Sequence, residues 1–218
     1  FLEFSQYFDN EVFVEAGLKI RRQAKAADEL PPLERVQAIA NIFSTFKNPD
    51  RETVLTPWRA VNMHLGECIG GSNFYKDGYD ELITINENTS SRWIIKEDFT
   101  KYIFNIESKI LEINSKSGLY PLYAAISIYQ NARYKGLMKN ASNLWQKVLE
   151  DNIYVVCRTK MAAAITKRTL KGFKGDDEYK TNIIVVENIV EQMSSQYKEN
   201  YKMLKEFINN KRTWKKGV

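Results

Sequence analysis

The stretch "SKILEINSKSGLYPLYAAISIYQ" (residues 108–130) decides the fold, because it joins an apolar run to an Ala-rich run through a short polar loop. "KILEIN" is typical of a strand, and "YPLYAAISIYQNARY" is long enough to be typical of a helix. The loop between them contains small and polar residues and one glycine, Gly118. The stretch therefore predicts a strand–loop–helix unit. This unit is either an ordinary turn or a loop that binds a cofactor.

The same alternation continues toward the C-terminus. The pattern predicts helices over "KNASNLWQKVLED" and "MAAAITKRTLKGF", strands over "NIYVVCR" and "TNIIVVEN", and a long helix over residues 189–211. Short apolar strands that alternate with helices indicate a parallel sheet connected by right-handed crossovers. The predicted fold class is therefore α/β, and three strands form only part of such a sheet.

The first part of the chain has a different pattern. Residues 1–70 are predicted to be helical, with one helix over "PPLERVQAIANIFSTF" and a second from Thr56-Pro57 to Gly70-Gly71. Thr56 is the expected N-cap of that second helix, and Pro57 its first residue. Residues 71–106 are expected to form an irregular connector with a short strand over "LITI" (82–85). We thus predict a helical extension, a connector, and an α/β part over 107–218.

Composition limits the class of protein. The chain of 218 residues is 44% hydrophobic, which is typical of a globular protein, and its apolar runs are too short to cross a bilayer. Its acidic start does not resemble a signal peptide. Two cysteines, Cys68 and Cys157, favour a reducing cytoplasm, and one histidine, His64, argues against a His-based metal cluster. Because the chain lacks an initiator Met, we expect a fragment of a larger protein. The cysteine content leads us to expect that this protein is cytoplasmic.

Positive charge is concentrated near the C-terminus. Residues 195–218 contain seven Lys/Arg and two Glu, and this excess equals the net charge of +5 for the whole chain. Such a segment suits a polyanionic partner, or it is simply the solvated end of a helix.

The loop after the first predicted strand is the candidate ligand site. In an open parallel sheet, ligands bind at the carboxyl ends of the strands, where the loop meets a helix N-terminus. Glu112 stands at the strand end, and Ser115, Ser117 and Gly118 follow it. A carboxylate there can bind a cationic or hydroxyl-bearing ligand, and small residues allow the backbone to approach it. The same residues also fit an ordinary turn.

This segment resembles the S-adenosylmethionine (AdoMet) binding motif of the N6-adenine DNA methyltransferases. That motif is an apolar pair, Asp-Pro, two small residues, Gly-Thr-Gly and an aromatic. The matching residues are Ile110, Leu111, Glu112, Ser115, Ser117, Gly118 and Tyr120. Lys116 stands where the family has its first glycine, and Ile113 where it has proline.

A second match lies upstream, in "TVLTPWRAVNMHLGE" (53–67). It is similar to the Thr-Pro motif that precedes the AdoMet loop in the gamma-type order of these enzymes, and Thr56, Pro57, Val61 and Met63 match it. In the family this helix start folds over the cofactor. The resemblance spans roughly residues 30–190 and implies a partial Rossmann-like parallel sheet with a helical N-terminal extension.

Later positions match less well. The family has an acidic residue for the ribose hydroxyls at the end of its second strand, where this chain has Cys157 and Arg158. After the next strand, Asn188 stands near the position of a family Gly-Asp that contacts adenine. Asn188 either keeps that contact or caps the following helix.

The catalytic Asn/Asp-Pro-Pro-Tyr/Phe motif of the family is absent, since the last proline of this chain is Pro121. The resemblance therefore implies the AdoMet-binding part of an adenine-specific DNA methyltransferase from a bacterial restriction–modification enzyme, inactive by itself. It implies AdoMet as cofactor, no metal, no membrane, and double-stranded DNA and other restriction–modification domains as partners of the full-length protein. The alternatives are a non-catalytic scaffold or DNA-binding module that has lost the cofactor, and a nucleic-acid tether built on the basic C-terminal helix.

Overall fold

The computed structural model describes residues 9–46, 55–86, 88–97, 99–137, 140–175, 179–189 and 197–209. Its first part is helical, as predicted, with α1 (Asn10–Ala27), α2 (Pro32–Ser44) and α3 (Trp58–Cys68). Asp9 caps α1 by accepting hydrogen bonds from the amides of Glu11 and Val12.

The connector is more ordered than predicted. β1 (Gly71–Asn73) and β2 (Arg92–Ile94) form an antiparallel pair, followed by the short helix α4 (Phe99–Ile103). The prediction of a strand over 82–85 is wrong, because Leu82 makes only an isolated bridge to Tyr75 there. The side chains of Leu82, Ile83 and Ile85 instead pack on the core without a continuous partner strand.

The predicted parallel sheet is confirmed. Its strands are β3 (Ile110–Ile113), β4 (Ile153–Cys157) and β5 (Asn182–Val185), in that spatial order and all parallel. Helices α5 (Leu119–Tyr134) and α6 (Ala141–Asp151) connect β3 to β4, and α7 (Lys160–Lys171) connects β4 to β5. The last helix, α8 (Tyr197–Asn209), covers the C-terminal part of the predicted long helix, whose other residues mostly lie outside the described ranges.

The sheet has two apolar faces, as the period-2 alternation of strand side chains requires. Tyr154 and Val156 of β4 pack with Leu204 and Phe207 of α8. The alternate residues of the strands face α5 and α7, in the larger core: Ile110, Ile153, Val155, Cys157 and Ile183. The sheet is therefore the middle layer of an α/β/α arrangement.

Helix α5 lies at the centre of the larger core. Eleven of its sixteen residues are buried, and it contacts α2, α3, α6, α7 and the strands. That core runs from Ala27 in the helical extension to Leu170 in the α/β part. Helical extension and sheet therefore share one hydrophobic core.

A buried arginine joins the two parts. The guanidinium of Arg35 donates to Asp28 Oδ1 at 3.0 Å and to the carbonyl oxygens of Arg168, Thr169 and Leu170 at the end of α7. Asp28 also accepts from the amide of Phe173 at 2.7 Å. Burial lowers the pKa of Arg35, and the Asp28 carboxylate opposes that change. The charged side chain thus neutralises the carbonyl end of α7.

Across the described ranges, none of the helices combines the length and apolar character that a membrane span needs.

Candidate ligand site at the carboxyl end of β3

The loop between β3 and α5 is shaped by a left-handed glycine. Gly118 precedes α5 with φ of 79°, a conformation that favours glycine. A Cβ atom at Gly118 would lie 3.0 Å from the Cα atom of Thr166 in α7. The glycine is therefore required by the backbone turn and by the close passage of α7.

The two serines of the loop also face α7. Ser115 Oγ lies 3.3 Å from Thr166 Oγ1, and Thr169 Oγ1 donates to the carbonyl oxygen of Ser117 at 2.6 Å. Ser117 Oγ accepts from the amide of Leu119 at 3.4 Å. Ser115 is 3% exposed and Ser117 8% exposed. In this structure both serines and Gly118 hold the loop against α7 and do not line an opening.

Glu112 differs from the two serines because its polar group is not hydrogen-bonded within the described ranges. It is partly buried on the α5 side of β3, and within the described ranges its carboxylate has no hydrogen-bond or ion-pair partner. Burial raises the pKa of Glu112 to about 7. A desolvated carboxyl group without a donor is costly to ionise, and a ligand that donates to it would relieve that cost.

Helix α3 meets the first turn of α5 beside Glu112. His64 Nδ1 lies 3.0 Å from Tyr120 Oη, and the two rings are in edge-to-face contact with centroids 5.8 Å apart. Burial raises the pKa of Tyr120, and the nearby Glu112 and Cys68 raise it further. The side chain of His64 is exposed. The sequence carries no local signal for its contact with Tyr120, 56 positions away.

The Thr-Pro motif is placed differently from the prediction. Helix α3 begins at Trp58 with Pro57 as N-cap, so Thr56 as N-cap is wrong. Proline disfavours the helical conformation for the residue before it, and this delays the helix start. Thr56 and Pro57 precede the helix and lie eight and seven residues before His64. The helix start at Trp58 is about 9 Å from His64 along the helix axis, at 1.5 Å per residue. His64 in the middle of α3 contacts Tyr120, and Trp58 at the start of α3 packs on Tyr123 of α5, with ring centroids 6.0 Å apart.

The remaining expected residues lie on the neighbouring strands. Cys157 is fully buried with Sγ 3.8 Å from Thr166 Oγ1, and burial raises the pKa of its thiol. The exposed Arg158 donates to the carbonyl oxygen of Glu187 at 3.3 Å. Asn188 is exposed in the turn after β5, and β5 itself lies about 10 Å from β3, at two strand spacings. The strand ends thus bring Glu112 and Asn188 to one edge of the sheet.

Comparisons of this chain with protein-family models, with curated proteins and with solved structures found no match. A search for metal-binding clusters among the residues that the structure describes found no group of three or more His, Cys, Asp or Glu side chains suited to a metal ion.

Replacing Glu112 by glutamine is expected to raise the free energy of unfolding at about pH 8 by roughly 2 kcal/mol. Unfolded Glu ionises near 4.5 and folded Glu112 near 7, so stability that the protonated acid contributes is lost as pH rises through that window. The gain of Glu112→Gln should disappear below about pH 4.5. Urea unfolding at several pH values measures it. Glu107→Gln, in the exposed turn before the same strand, is the control and should show no such gain.

Proposed function

We propose that this chain is the AdoMet-binding part of an adenine-specific DNA N6-methyltransferase of a bacterial restriction–modification enzyme. In the whole protein the bound AdoMet supplies a methyl group on its sulfonium for transfer to adenine N6. The residues of this chain bind and orient the cofactor, and the catalytic motif and the DNA-recognition part belong to the rest of the protein. A partial Rossmann-like methyltransferase sheet is the fold that the proposal requires, and the three parallel strands are compatible with it.

Glu112 is the observation that carries the proposal. It combines three features: a position at the carboxyl end of a parallel strand, a pKa raised to about 7 by burial, and no internal donor within the described ranges. The ammonium and hydroxyl groups of AdoMet are donors of the kind that such a carboxylate needs. A residue that lowers stability in the free protein but improves binding is expected at a functional site.

The other expected contacts divide into two groups. Asn188 is exposed at the same edge of the sheet, so we assign it to the adenine end of the ligand. Ser115 and Ser117 already bond within the chain, and we assign them and Gly118 the task of holding the loop. Thr56 and Pro57 would contact only a ligand that reaches the far end of α3.

The packing of Ser115 and Ser117 against α7 favours a second candidate function. A methyltransferase-like scaffold or DNA-binding module that has lost its cofactor would keep this sheet and this closed loop. The absence of an acid at Cys157–Arg158 agrees with that reading.

Wild-type protein is expected to bind AdoMet or S-adenosylhomocysteine in a saturable way, and Glu112→Ala is expected to weaken binding at least tenfold. Because the carboxylate must be ionised to accept from the ligand, wild-type affinity should rise about tenfold from about pH 6 to about pH 8. Isothermal titration calorimetry at both pH values measures the affinities.

Two comparisons make the titration decisive. Glu107→Gln should bind like wild type, and Glu112→Gln should bind weakly without the rise between the two pH values. Absence of heat at millimolar ligand, with the protein folded by circular dichroism, would favour the scaffold and reject the cofactor proposal.

A further inference from the structure

Helix α1 leaves most of its apolar side chains uncovered. Of its eighteen residues only Ala27 is buried, although the helix packs on α2. Leu18 is 52% exposed, and its neighbour one turn earlier, Val14, is 50% exposed. A surface helix normally turns its apolar stripe toward the core, so an exposed stripe of this kind marks an interaction surface.

Gly17 lies in the middle of this helix without an internal reason. A Cβ atom there would have nothing within 4 Å, so no described neighbour excludes a side chain. Glycine is less favourable than alanine inside a helix. A missing side chain in the centre of an exposed helix does allow a second helix to approach its backbone closely.

The groove beside Gly17 is apolar with a basic rim. It has a volume of about 490 Å³ and lies between α1, α2 and α7, and its lining includes Ile42 and Phe43 of α2 and Ile165 of α7. Arg21 and Arg168 line its edge. From residue 160 to residue 175, α7 and its following turn contain five Lys/Arg and no carboxylate. The groove therefore suits a helix with apolar and acidic side chains.

Helix α1 itself has exposed apolar side chains and two carboxylates. The first half of α1 carries Glu11 and Glu15, and the second half carries four cations: Lys19, Arg21, Arg22 and Lys25. If two copies of α1 cross antiparallel near Leu18, Glu15 of each copy faces Arg22 of the other and Glu11 lies near Lys25. A two-fold contact repeats each pair twice, so this charge pattern is complementary to itself.

We propose that α1 forms a two-fold antiparallel contact with α1 of a second copy of this chain, crossing at Gly17 and Leu18 and covering the apolar groove. The helix is about 27 Å long, so the contact falls at the small end of specific interfaces. Association is therefore expected at micromolar concentration. Reversing the sign of one charge in a pair between the two helices should replace attraction by repulsion.

Sedimentation equilibrium of the wild-type chain from about 1 to about 200 µM should show a monomer–dimer equilibrium. Leu18→Glu should leave a monomer throughout that range. Val12→Glu is the matched control, because Val12 is 64% exposed on another face of α1, and it should associate like wild type. Circular dichroism of each variant establishes that the helices are intact.

A charge exchange tests the antiparallel register. Glu15→Lys and Arg22→Glu should each weaken association at least tenfold, and the double variant should regain most of it. A wild-type monomer at the highest concentration overturns the proposal, whether another protein or another segment of this chain covers the groove. A dimer that Leu18→Glu does not affect, or a double variant that stays as weak as the single variants, also overturns it.

Discussion

Arg35→Met is expected to lower the free energy of unfolding by about 3 to 5 kcal/mol, the usual effect of removing one partner of a buried ion pair. The substitution leaves the Asp28 carboxylate buried without its cation and removes donors from three carbonyl oxygens at the end of α7. Both side chains of the pair are only 6% exposed, so water cannot replace the lost contacts. Urea unfolding followed by circular dichroism measures the loss.

An exposed pair provides the control. Arg59 and Asp80 form an ion pair with side chains 55% and 83% exposed, and Arg59→Met should cost less than about 1 kcal/mol. Asp28→Asn combined with Arg35→Met should recover part of the stability, since no unpaired charge remains. Equal losses for Arg35→Met and Arg59→Met would contradict the role given to Arg35.

Gly118→Val is expected to lower the free energy of unfolding by about 3 kcal/mol or more, from backbone strain and from overpacking. The φ of 79° is especially unfavourable for a β-branched residue, and the new Cβ would press on the backbone of Thr166 at 3.0 Å. The loop cannot move away without separating Ser115 and Ser117 from α7. Thermal and urea unfolding both measure this effect, and the proposed AdoMet binding should be lost as well in a calorimetric titration.

Gly175 is the matched control for this substitution. It lies in the loop after α7, and a Cβ there would meet no atom within 4 Å. Gly175→Val should therefore change stability by less than about 0.5 kcal/mol. If Gly118→Val changed stability as little as Gly175→Val, α7 would have to be packed on the loop less tightly than in the structure.

Strands and helices of the α/β part were predictable from sequence because each carries a strong local pattern. "NIYVVCR" is a continuous apolar run, as a strand buried on both faces requires, and β4 occupies Ile153–Cys157 within it. Helix α6 follows its N-cap Asn140, whose side chain accepts from the amide of Asn143. Such signals depend on neighbours in sequence, so they do not need the tertiary structure.

The state of the candidate site was not predictable from sequence, because it depends on distant residues. The loop lies against α7 through Thr166 and Thr169, about fifty positions after Ser115 and Ser117. The raised pKa of Glu112 likewise reflects the packing around it. The contact between His64 and Tyr120 also joins residues that are 56 positions apart in sequence.

The antiparallel pair of β1 and β2 and the buried arginine show the same limit. β1 and β2 have three residues each, too few for the alternation that predicts a strand, and their pairing is fixed by the surrounding core. Arg35 stands in an otherwise ordinary amphipathic helix, and its carbonyl partners are more than 130 positions away. Neither feature has a local sequence signal.

The burial of α5 has a practical consequence for expressing the α/β part of this chain alone. Helix α5 is covered by α2 and α3 on one side and by the strands on another. A polypeptide beginning at residue 107 would therefore expose a large apolar surface of α5. Such a piece would be recovered as aggregate, and the residues before 107 would have to be expressed together with it. A boundary drawn from sequence motifs is therefore a poor guide for cloning this protein.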